Sequence, residues 1–221
     1  MAGAVIVGTG PGIGTSVARR FGAGGMQVGL IARSQPSIDL ARAALAAAGV
    51  DAVGAIADAA QDAELIAALD ALVGELGAPE VLVYNAGLIQ RDRPGQLSQQ
   101  QHLTAYAINV LGALASAAHL APVMAGAGGG TILLTGGMPE PDPAATSLSL
   151  GKAGVRALTV LLAKEYGPSG IHVATVTVSG AVAPGGKFDP DRIAELYWRL
   201  HAQPVAAWEH EVAYAGEPGA A

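Results

Sequence analysis

The chain has 221 residues, of which 51% are hydrophobic and 4% aromatic, with a formal net charge of −6 and no cysteine. This length suits one domain, and the abundant Ala and Gly suit helices packed closely on a sheet rather than an aromatic-rich sandwich. The negative charge argues against a nucleic-acid partner, and without cysteines or closely spaced histidines the sequence predicts neither a disulfide framework nor a metal site.

Aliphatic runs and longer helical stretches alternate along the chain. The runs predict strands at 4–8, 27–32, 51–57, 80–84, 131–135 and 171–178. The stretches of helical period predict helices at about 12–23, 36–48, 60–76, 97–126, 146–167 and 189–201. Most strands lack polar alternation, which is typical of parallel strands covered on both faces. The alternation therefore predicts an α/β fold, a doubly wound parallel sheet with helices on both faces, in a single domain spanning residues 1–221.

No segment predicts secretion or membrane insertion. "MAGAVIVGTG" lacks the cationic region of a secretory signal, and the apolar run "VLGALASAAHLAPVMAGAG" is interrupted by His119 and Pro122. We therefore expect a soluble, cytoplasmic protein without a membrane partner. At the other end, "WEHEVAY" predicts a further edge strand, while Pro204 and "GEPGAA" make residues 204–221 an uncertain tail.

The turn after the first strand is rich in glycine. "GTGPGIG", residues 8–14, ends that strand and opens the first helix. Glycines at this place let the main chain approach a pyrophosphate, and the free N–H groups of the helix N-terminus favour its negative charge. A tight βα turn that binds nothing is the alternative interpretation.

Further motifs follow in a recognisable order. Asp58 ends the third strand, "NAG" (85–87) follows the fourth, Asn109 lies in "INVLG" of the fourth helix, and Lys152 lies in the fifth helix. Together with the glycine turn, this order resembles the short-chain dehydrogenase/reductase family over about residues 4–182. The resemblance implies a Rossmann-type oxidoreductase with a small-molecule substrate, and it places Asn109 and Lys152 at the family's catalytic Asn and Lys positions.

The same resemblance implies a set of cofactor-binding residues. The glycine turn would surround the pyrophosphate, the third strand would meet the adenine, "NAG" would border the adenosine ribose, and Lys152 would bind the nicotinamide ribose. The carboxamide contact would come from Val182, after the sixth strand. The expected set is Gly8, Pro11, Gly12, Ile13, Gly14, Arg33, Ser34, Asp58, Ala59, Asn85, Ala86, Gly87, Lys152 and Val182.

The end of the second strand, "IARS", favours NADP. NAD-preferring members of the family usually carry an acid where this chain has Ala32, and here Arg33 and Ser34 follow. A guanidinium suits a 2′-phosphate, and no carboxylate stands at this position to repel it. NAD remains an alternative, because an arginine after a strand is also a common solvated residue.

Two positions depart from the family pattern. The catalytic Tyr of a Tyr-xxx-Lys motif corresponds to Leu148, and the catalytic Ser corresponds to Gly137, or to Gly136 if the register slips by one. Two hypotheses remain open. One is an NADP-dependent oxidoreductase whose acid has moved or whose substrate needs little proton assistance, and the other is a catalytically silent NADP-binding sensor or partner subunit.

Several residues are candidates for the missing acid, and none outranks the others. Ser147 and Ser149 flank the vacant position but point roughly 100° away from it on a helix. Lys152 could serve if desolvation lowered its pKa, and Tyr84 and Tyr106 lie near "NAG" and Asn109.

Residues after the sixth strand are expected to cover the pocket. The segment 183–203 predicts a substrate lid, in which the helix with Tyr197, Trp198 and His201 covers the site. A helix that merely closes the core is the alternative. The resemblance also implies a homodimer or homotetramer through the fourth and fifth helices, and the Ala-rich stretches 105–125 and 153–163 suit such burial.

Overall fold

The computed structural model describes residues 3–216, which form one seven-stranded parallel sheet. The strands are β1 (Gly3–Val7), β2 (Gln27–Ala32), β3 (Ala52–Ile56), β4 (Val81–Tyr84), β5 (Gly130–Gly137), β6 (Ile171–Val178) and β7 (Glu211–Tyr214). Their order across the sheet is β3-β2-β1-β4-β5-β6-β7, and each neighbouring pair is parallel. The predicted doubly wound α/β fold is confirmed, and the possible edge strand in "WEHEVAY" is present as β7.

Within residues 3–216, seven α-helices connect the strands and cover both faces of the sheet. They are α1 (Ile13–Ala23), α2 (Gln35–Ala46), α3 (Asp62–Leu76), α4 (Gln99–Tyr106), α5 (Gly112–Gly126), α6 (Thr146–Tyr166) and α7 (Pro190–His201). The starts of two helices are explained by side-chain caps. Ser98 and Gln101 form a capping box at α4, and the Asp189 carboxylate accepts main-chain N–H groups at α7.

Two hydrophobic cores lie on opposite faces of the sheet. Alternate residues of β1 point to opposite faces, so Ala4 and Ile6 pack with α1, α2 and α7, whereas Val5 and Val7 pack with α3, α5 and α6. These strand residues are almost completely buried. Both layers share one sheet, and they hold the carboxyl ends of the strands together at one edge of the domain.

Two elements differ from their predicted form. The predicted helix 97–126 is a continuous helical run in which the π-helical turn Ala107–Leu111 separates α4 from α5. The predicted strand 131–135 is two residues longer at its carboxyl end, because Gly136 and Gly137 continue the ladder with Thr177 and Val178 of β6. Both glycines, expected after the strand, therefore lie within it.

The run Gln99–Gly126 is long and apolar enough to cross a membrane by length and composition. Half of its most apolar window is buried inside the protein, where α5 packs on α3 and on the sheet. This run is therefore a core helix of the α/β fold.

Candidate functional site

A wide crevice opens at the carboxyl ends of the strands. It has a volume of about 1290 Å³ and is lined by residues that follow β1, β2, β3, β4, β5 and β6. β1 and β4 are neighbours in the sheet, and the strand order reverses between them. In open α/β sheets the crevice at this point is the general ligand-binding place.

The glycine turn forms the floor of this crevice. Gly8 has a φ of 92°, and a Cβ there would lie 2.3 Å from the main-chain nitrogen of Ala86. A Cβ on Gly14 would lie 2.4 Å from the carbonyl oxygen of Gly8. Any side chain at these two positions would collide with main chain, so the close packing of this turn on the β4 end requires glycine. Gly12 caps α1 with no side chain between the helix N-terminus and the crevice.

Asn85 joins the glycine turn to β5. Its Nδ2 donates to the carbonyl oxygen of Gly8 at 2.7 Å, and its Oδ1 accepts from the Thr135 hydroxyl at 2.9 Å. Because the Thr135 hydroxyl donates to Asn85, it accepts from the hydroxyl of Tyr197 at 2.6 Å. This chain of hydrogen bonds connects α7, β5, β4 and the glycine turn beneath the crevice.

Lys152 points from α6 into the crevice. Its side chain is only 8% exposed, and Nζ donates to the carbonyl oxygen of Thr135 at 2.7 Å. Burial disfavours the charged form and lowers the pKa of Lys152 from 10.5 to about 8. Nζ also lies beside Gly87, where a Cβ would be 3.9 Å away. The lysine predicted from the sequence is thus a buried cation that faces a ligand-sized space.

Asn109 lies behind the crevice wall and outside the described residues that line it. It sits in the π-helical turn, where its Oδ1 accepts from the N–H of Leu88 at 3.1 Å and its Nδ2 donates to the Leu88 carbonyl at 3.4 Å. Gly151 lets this side chain approach α6, because a Cβ there would lie 2.8 Å from Cβ of Asn109. Asn109 therefore holds the segment after "NAG" beside Lys152.

The opposite end of the crevice carries the residues predicted for the adenosine half. Arg33 is exposed there, and Ser34 starts α2 with its hydroxyl 3.0 Å from that of Ser37. Asp58 and Ala59 lie across from them, and an Asp58 carboxylate oxygen accepts from the N–H of Ala60 at 2.9 Å. Ser37, which the sequence analysis did not single out, lines the same end.

Residues without a polar side chain lie close to Lys152 in the crevice. Leu148 and Gly137, which the sequence analysis aligned with the family's Tyr and Ser, both line the crevice. A Cβ at Gly137 would lie 3.8 Å from Cε of Lys152, so residue 137 is next to the lysine. The wall continues through Met138 and Pro139.

Among the candidates for the missing acid, Lys152 alone lines the crevice. The Tyr84 hydroxyl donates to the Ile108 carbonyl at 2.5 Å, and burial raises the pKa of Tyr84. Tyr106 is 41% exposed and lies beside Gly154. Ser147 donates to the buried Asp92 carboxylate at 2.6 Å, and the Ser149 hydroxyl accepts from the N–H of Asp142 at 3.0 Å.

Asp92 fixes the start of α6, a role that the sequence does not reveal. It is 2% exposed, and its carboxylate accepts both the N–H and the hydroxyl of Ser147 at the start of α6. The helix's own N-cap residue, Ala145, makes no side-chain cap, so Asp92 supplies the cap from the loop after β4. A lone Asp in a polar loop carries no local signal for this role, because its partner is 55 residues away.

The helix expected to cover the pocket faces the core. Tyr197 is fully buried, Trp198 packs against Phe21, and His201 lies within hydrogen-bonding distance of Thr131. This is the packing of a helix that closes the core, and residues 183–189 and 202–203 of the predicted lid lie outside α7. Val182, in the segment after β6, lines the crevice.

Most of the predicted cofactor-binding residues meet in the crevice. Pro11 and Gly14 lie outside the lining, Pro11 exposed on the turn and Gly14 beneath it. Among residues 3–216 no three His, Asp or Glu side chains are grouped to hold a metal ion. The lining set includes Gly8, Gly12, Ile13, Arg33, Ser34, Asp58, Ala59, Asn85, Ala86, Gly87, Lys152 and Val182.

Sequence comparison finds relatives that match most of the chain. A family model described as short chain dehydrogenase matches residues 2–186. The short-chain reductase protein NovJ of Streptomyces niveus is 32% identical over 196 residues, which cover 87% of this chain and 72% of NovJ.

Solved structures match over nearly the whole chain. A short-chain dehydrogenase from Rhodopseudomonas palustris has a TM-score of 0.88 at 25% identity, covering 98% of this chain and 99% of that one. A metagenomic short-chain oxidoreductase in complex with NADP has a TM-score of 0.86 at 24% identity, covering 96% of each chain, and shares the fold.

Proposed function

Because the chain belongs to the short-chain dehydrogenase family, we propose that it is an NADP-dependent oxidoreductase with an atypical active site, which transfers hydride to or from a small organic molecule. The observation that carries the proposal is the crevice itself, with a glycine floor at one side and the buried ammonium of Lys152 at the other. When bound, the nicotinamide supplies or accepts the hydride.

The shape and donors of the crevice fit a dinucleotide. The absence of a Cβ at Gly8 and Gly14 lets the turn pack closely on the β4 end. Gly12 and Ile13 then begin α1 at the crevice, where the free N–H groups of the helix N-terminus could bind a pyrophosphate. Pro11 lies on the same turn. Asp58 and Ala59 would meet the adenine, while Asn85, Ala86 and Gly87 would border its ribose. Val182 would contact the carboxamide.

The NADP preference rests on the exposed guanidinium at the end of β2. Arg33 lines the crevice, its neighbour Ser34 begins α2, and Ala32 leaves that strand end without a carboxylate. A 2′-phosphate would gain charge-assisted hydrogen bonds here, whereas a free hydroxyl would find no acid to accept from it. The NADP complex of the metagenomic structure supports the assignment by fold only.

Lys152 would bind the nicotinamide ribose and is also the best-placed proton source. Leu148 and Gly137 stand at the family's Tyr and Ser positions and have no hydroxyl. With its pKa near 8, the Lys152 ammonium can lose a proton from Nζ near neutral pH, as a general acid must. Asn109 acts as a positioning residue, because it holds the Leu88 main chain beside Lys152.

A silent NADP-binding protein is the second candidate function. It is favoured by the apolar surface that Leu148 and Met138 present at the reacting end of the crevice. A sensor or partner subunit would keep the cofactor contacts and need no acid. The two candidates share every cofactor-binding prediction and differ only in turnover.

Binding and turnover measurements separate these functions. We expect NADPH to bind more tightly than NADH in a fluorescence titration, and equal or absent binding would contradict the NADP proposal. NADPH oxidation is then followed with a panel of carbonyls, quinones and enones. Turnover that falls about 10²–10⁴-fold in Lys152→Ala, but not in the exposed Lys164→Ala on the same helix, would establish the enzyme. Tight binding without turnover would favour the silent protein.

Self-association stays a prediction that the exposed surface supports. Leu103, Tyr106 and Leu111 on the α4–α5 run and Leu150 and Leu161 on α6 are about half exposed. A homodimer or homotetramer would bury them, and light scattering after size exclusion would measure the mass. A cytoplasmic location is proposed from the sequence alone.

A further inference from the structure

The main chain that leaves β5 has an uncommon conformation. Met138 has a φ of 48° and is the only residue besides glycine with a positive φ among residues 3–216. A residue with a long side chain rarely adopts this conformation, because its Cβ crowds the adjoining carbonyl. Such a strained conformation persists only where contacts with neighbouring residues compensate for its cost in free energy.

Arg156 supplies these contacts from α6. Its Nη1 lies 3.0 Å from the carbonyl oxygen of Gly137 and 3.2 Å from that of Met138, and donates to both. Since each peptide unit is planar, the Gly137 carbonyl turns with φ of Met138 and the Met138 carbonyl turns with ψ. One guanidinium nitrogen therefore fixes both main-chain torsions of Met138.

Arg156 acts beside Lys152 on the same helix face. The two cations are four positions apart in the sequence, and Nζ of Lys152 donates at 2.7 Å to the carbonyl oxygen of Thr135, two residues before Gly137. The two differ in what they face. Lys152 lines the crevice, whereas Arg156 lies outside the described residues that line it.

The segment after Met138 is stiff, so the conformation of Met138 sets the direction in which the segment runs. Pro139, Pro141 and Pro143 alternate with Glu140 and Asp142, and each proline fixes its own φ. Met138, Pro139 and Glu140 line the crevice on the side away from the glycine turn. The direction set at Met138 therefore determines where this wall stands.

We propose that Arg156 is a positioning residue that holds Met138 at positive φ and so sets the wall of the substrate side of the crevice. The proposal rests on the proposed function, because it takes the β5–α6 side as the substrate side and the glycine turn as the cofactor side.

Crystal structures of three variants test the geometry. In Arg156→Ala we expect residue 138 to adopt a negative φ and the 138–140 segment to leave its place. Arg156→Lys should retain the positive φ, because the lysine ammonium can still donate to a carbonyl oxygen of Gly137 or Met138. The control, Lys164→Ala at an exposed position of the same helix, should leave the φ of residue 138 unchanged. A positive φ kept in Arg156→Ala would overturn the proposal.

A double-mutant cycle with Met138→Gly tests the coupling. Glycine adopts a positive φ without crowding. When Arg156 is removed from the wild type, Met138 can return to a negative φ, and this relief of strain offsets part of the lost stability. In the Met138→Gly background residue 138 is not strained, so nothing offsets the loss. Arg156→Ala should therefore raise the unfolding equilibrium constant at least about two-fold more in the Met138→Gly background. Equal effects in the two backgrounds would identify Arg156 as a general stabilising residue and overturn the proposal.

NADPH affinity distinguishes the two sides of the crevice. Arg156→Ala should bind NADPH within about two-fold of wild type, and a larger loss would overturn the assignment to the substrate side. If wild type binds no NADPH, the proposed function fails, and the crystal structures and the double-mutant cycle still decide the role of Arg156.

Discussion

The two ends of the crevice are built in different ways. At the glycine turn, the shape comes from main chain: Gly8 and Gly14 pack directly on the β4 end and on each other, with Asn85 tying them together. At the β5–α6 end, the side chains of Lys152 and Leu148 line the crevice, and the Arg156 side chain holds the main chain of the wall from outside the lining. Main-chain shape is part of the fold, so it changes only if the sheet changes, whereas a side chain can be replaced alone.

This difference means that the two ends of the crevice should tolerate substitution differently. An exchange of Leu148 for another side chain would change the chemistry of the β5–α6 end without moving a strand. Replacing Gly8 would move the turn itself. Four predictions test this contrast.

The largest expected effect is a gain of chemistry at the side-chain end. Leu148→Tyr should raise the rate of carbonyl reduction with NADPH by about 10²–10⁴-fold, because a hydroxyl would then stand four residues before Lys152. The rate is measured as NADPH oxidation with the carbonyl panel. Leu148→Phe is the control, since it adds the same ring without the hydroxyl. Equal rates in the two variants would show that more than this hydroxyl is missing.

The main-chain end should fail when a methyl group is added. In Gly8→Ala the Cβ meets main chain at 2.3 Å in a φ region that disfavours alanine, so we expect a loss of about 2–4 kcal/mol of unfolding free energy. NADPH affinity should fall about 100-fold through misplacement of the turn. Gly74→Ala in α3, with open space around it, is the control. Unchanged melting and binding in Gly8→Ala would refute the close-packing argument.

A smaller effect should separate the two cofactors. Arg33→Ala should weaken NADPH binding about 10–100-fold, because the charge-assisted hydrogen bonds to the 2′-phosphate are lost. NADH binding should stay nearly unchanged, because NADH has no 2′-phosphate. Fluorescence titration with both nucleotides measures this. Arg42→Ala, an exposed arginine on α2 away from the crevice, is the control. An equal loss of affinity for NADPH and NADH would mean that Arg33 does not bind the 2′-phosphate.

The smallest effect is a dependence of stability on pH. Burial lowers the pKa of Lys152 to about 8 from 10.5, so between these pH values the unfolded chain binds more protons than the folded one. The wild type should therefore gain stability as the pH rises from about 8 to 10.5, while the cost of the buried charge is fully present below pH 8. Lys152→Met lacks this charge, so its melting temperature should exceed that of wild type below pH 8 by a margin that shrinks toward pH 10.5.

Lys164→Met controls for the loss of an exposed lysine on the same helix and should show no such trend. A margin that stays constant with pH would contradict the buried-cation interpretation of Lys152.

Local sequence patterns were enough to predict the strands, the helices and the glycine turn at one end of the crevice. Each depends on residues close in sequence: aliphatic runs for the strands, a 3.6-residue period for the helices, and seven residues for "GTGPGIG". The position of Lys152 was also predictable, because it follows from motif order. Its burial and its bond to Thr135 were not.

The side-chain end depended on contacts between distant residues. The extra two residues of β5, the cap that Asp92 gives to Ser147, the inward face of α7 and the bonds of Arg156 to Gly137 and Met138 each join segments far apart in sequence. Thus the amino-acid sequence alone determined the fold class and the place of the glycine turn, since these follow from short-range periodicity and from main-chain freedom at glycine. Only the tertiary structure decided which polar groups meet at the β5–α6 end of the crevice, because a hydrogen bond or a buried charge exists only after folding has brought both partners together.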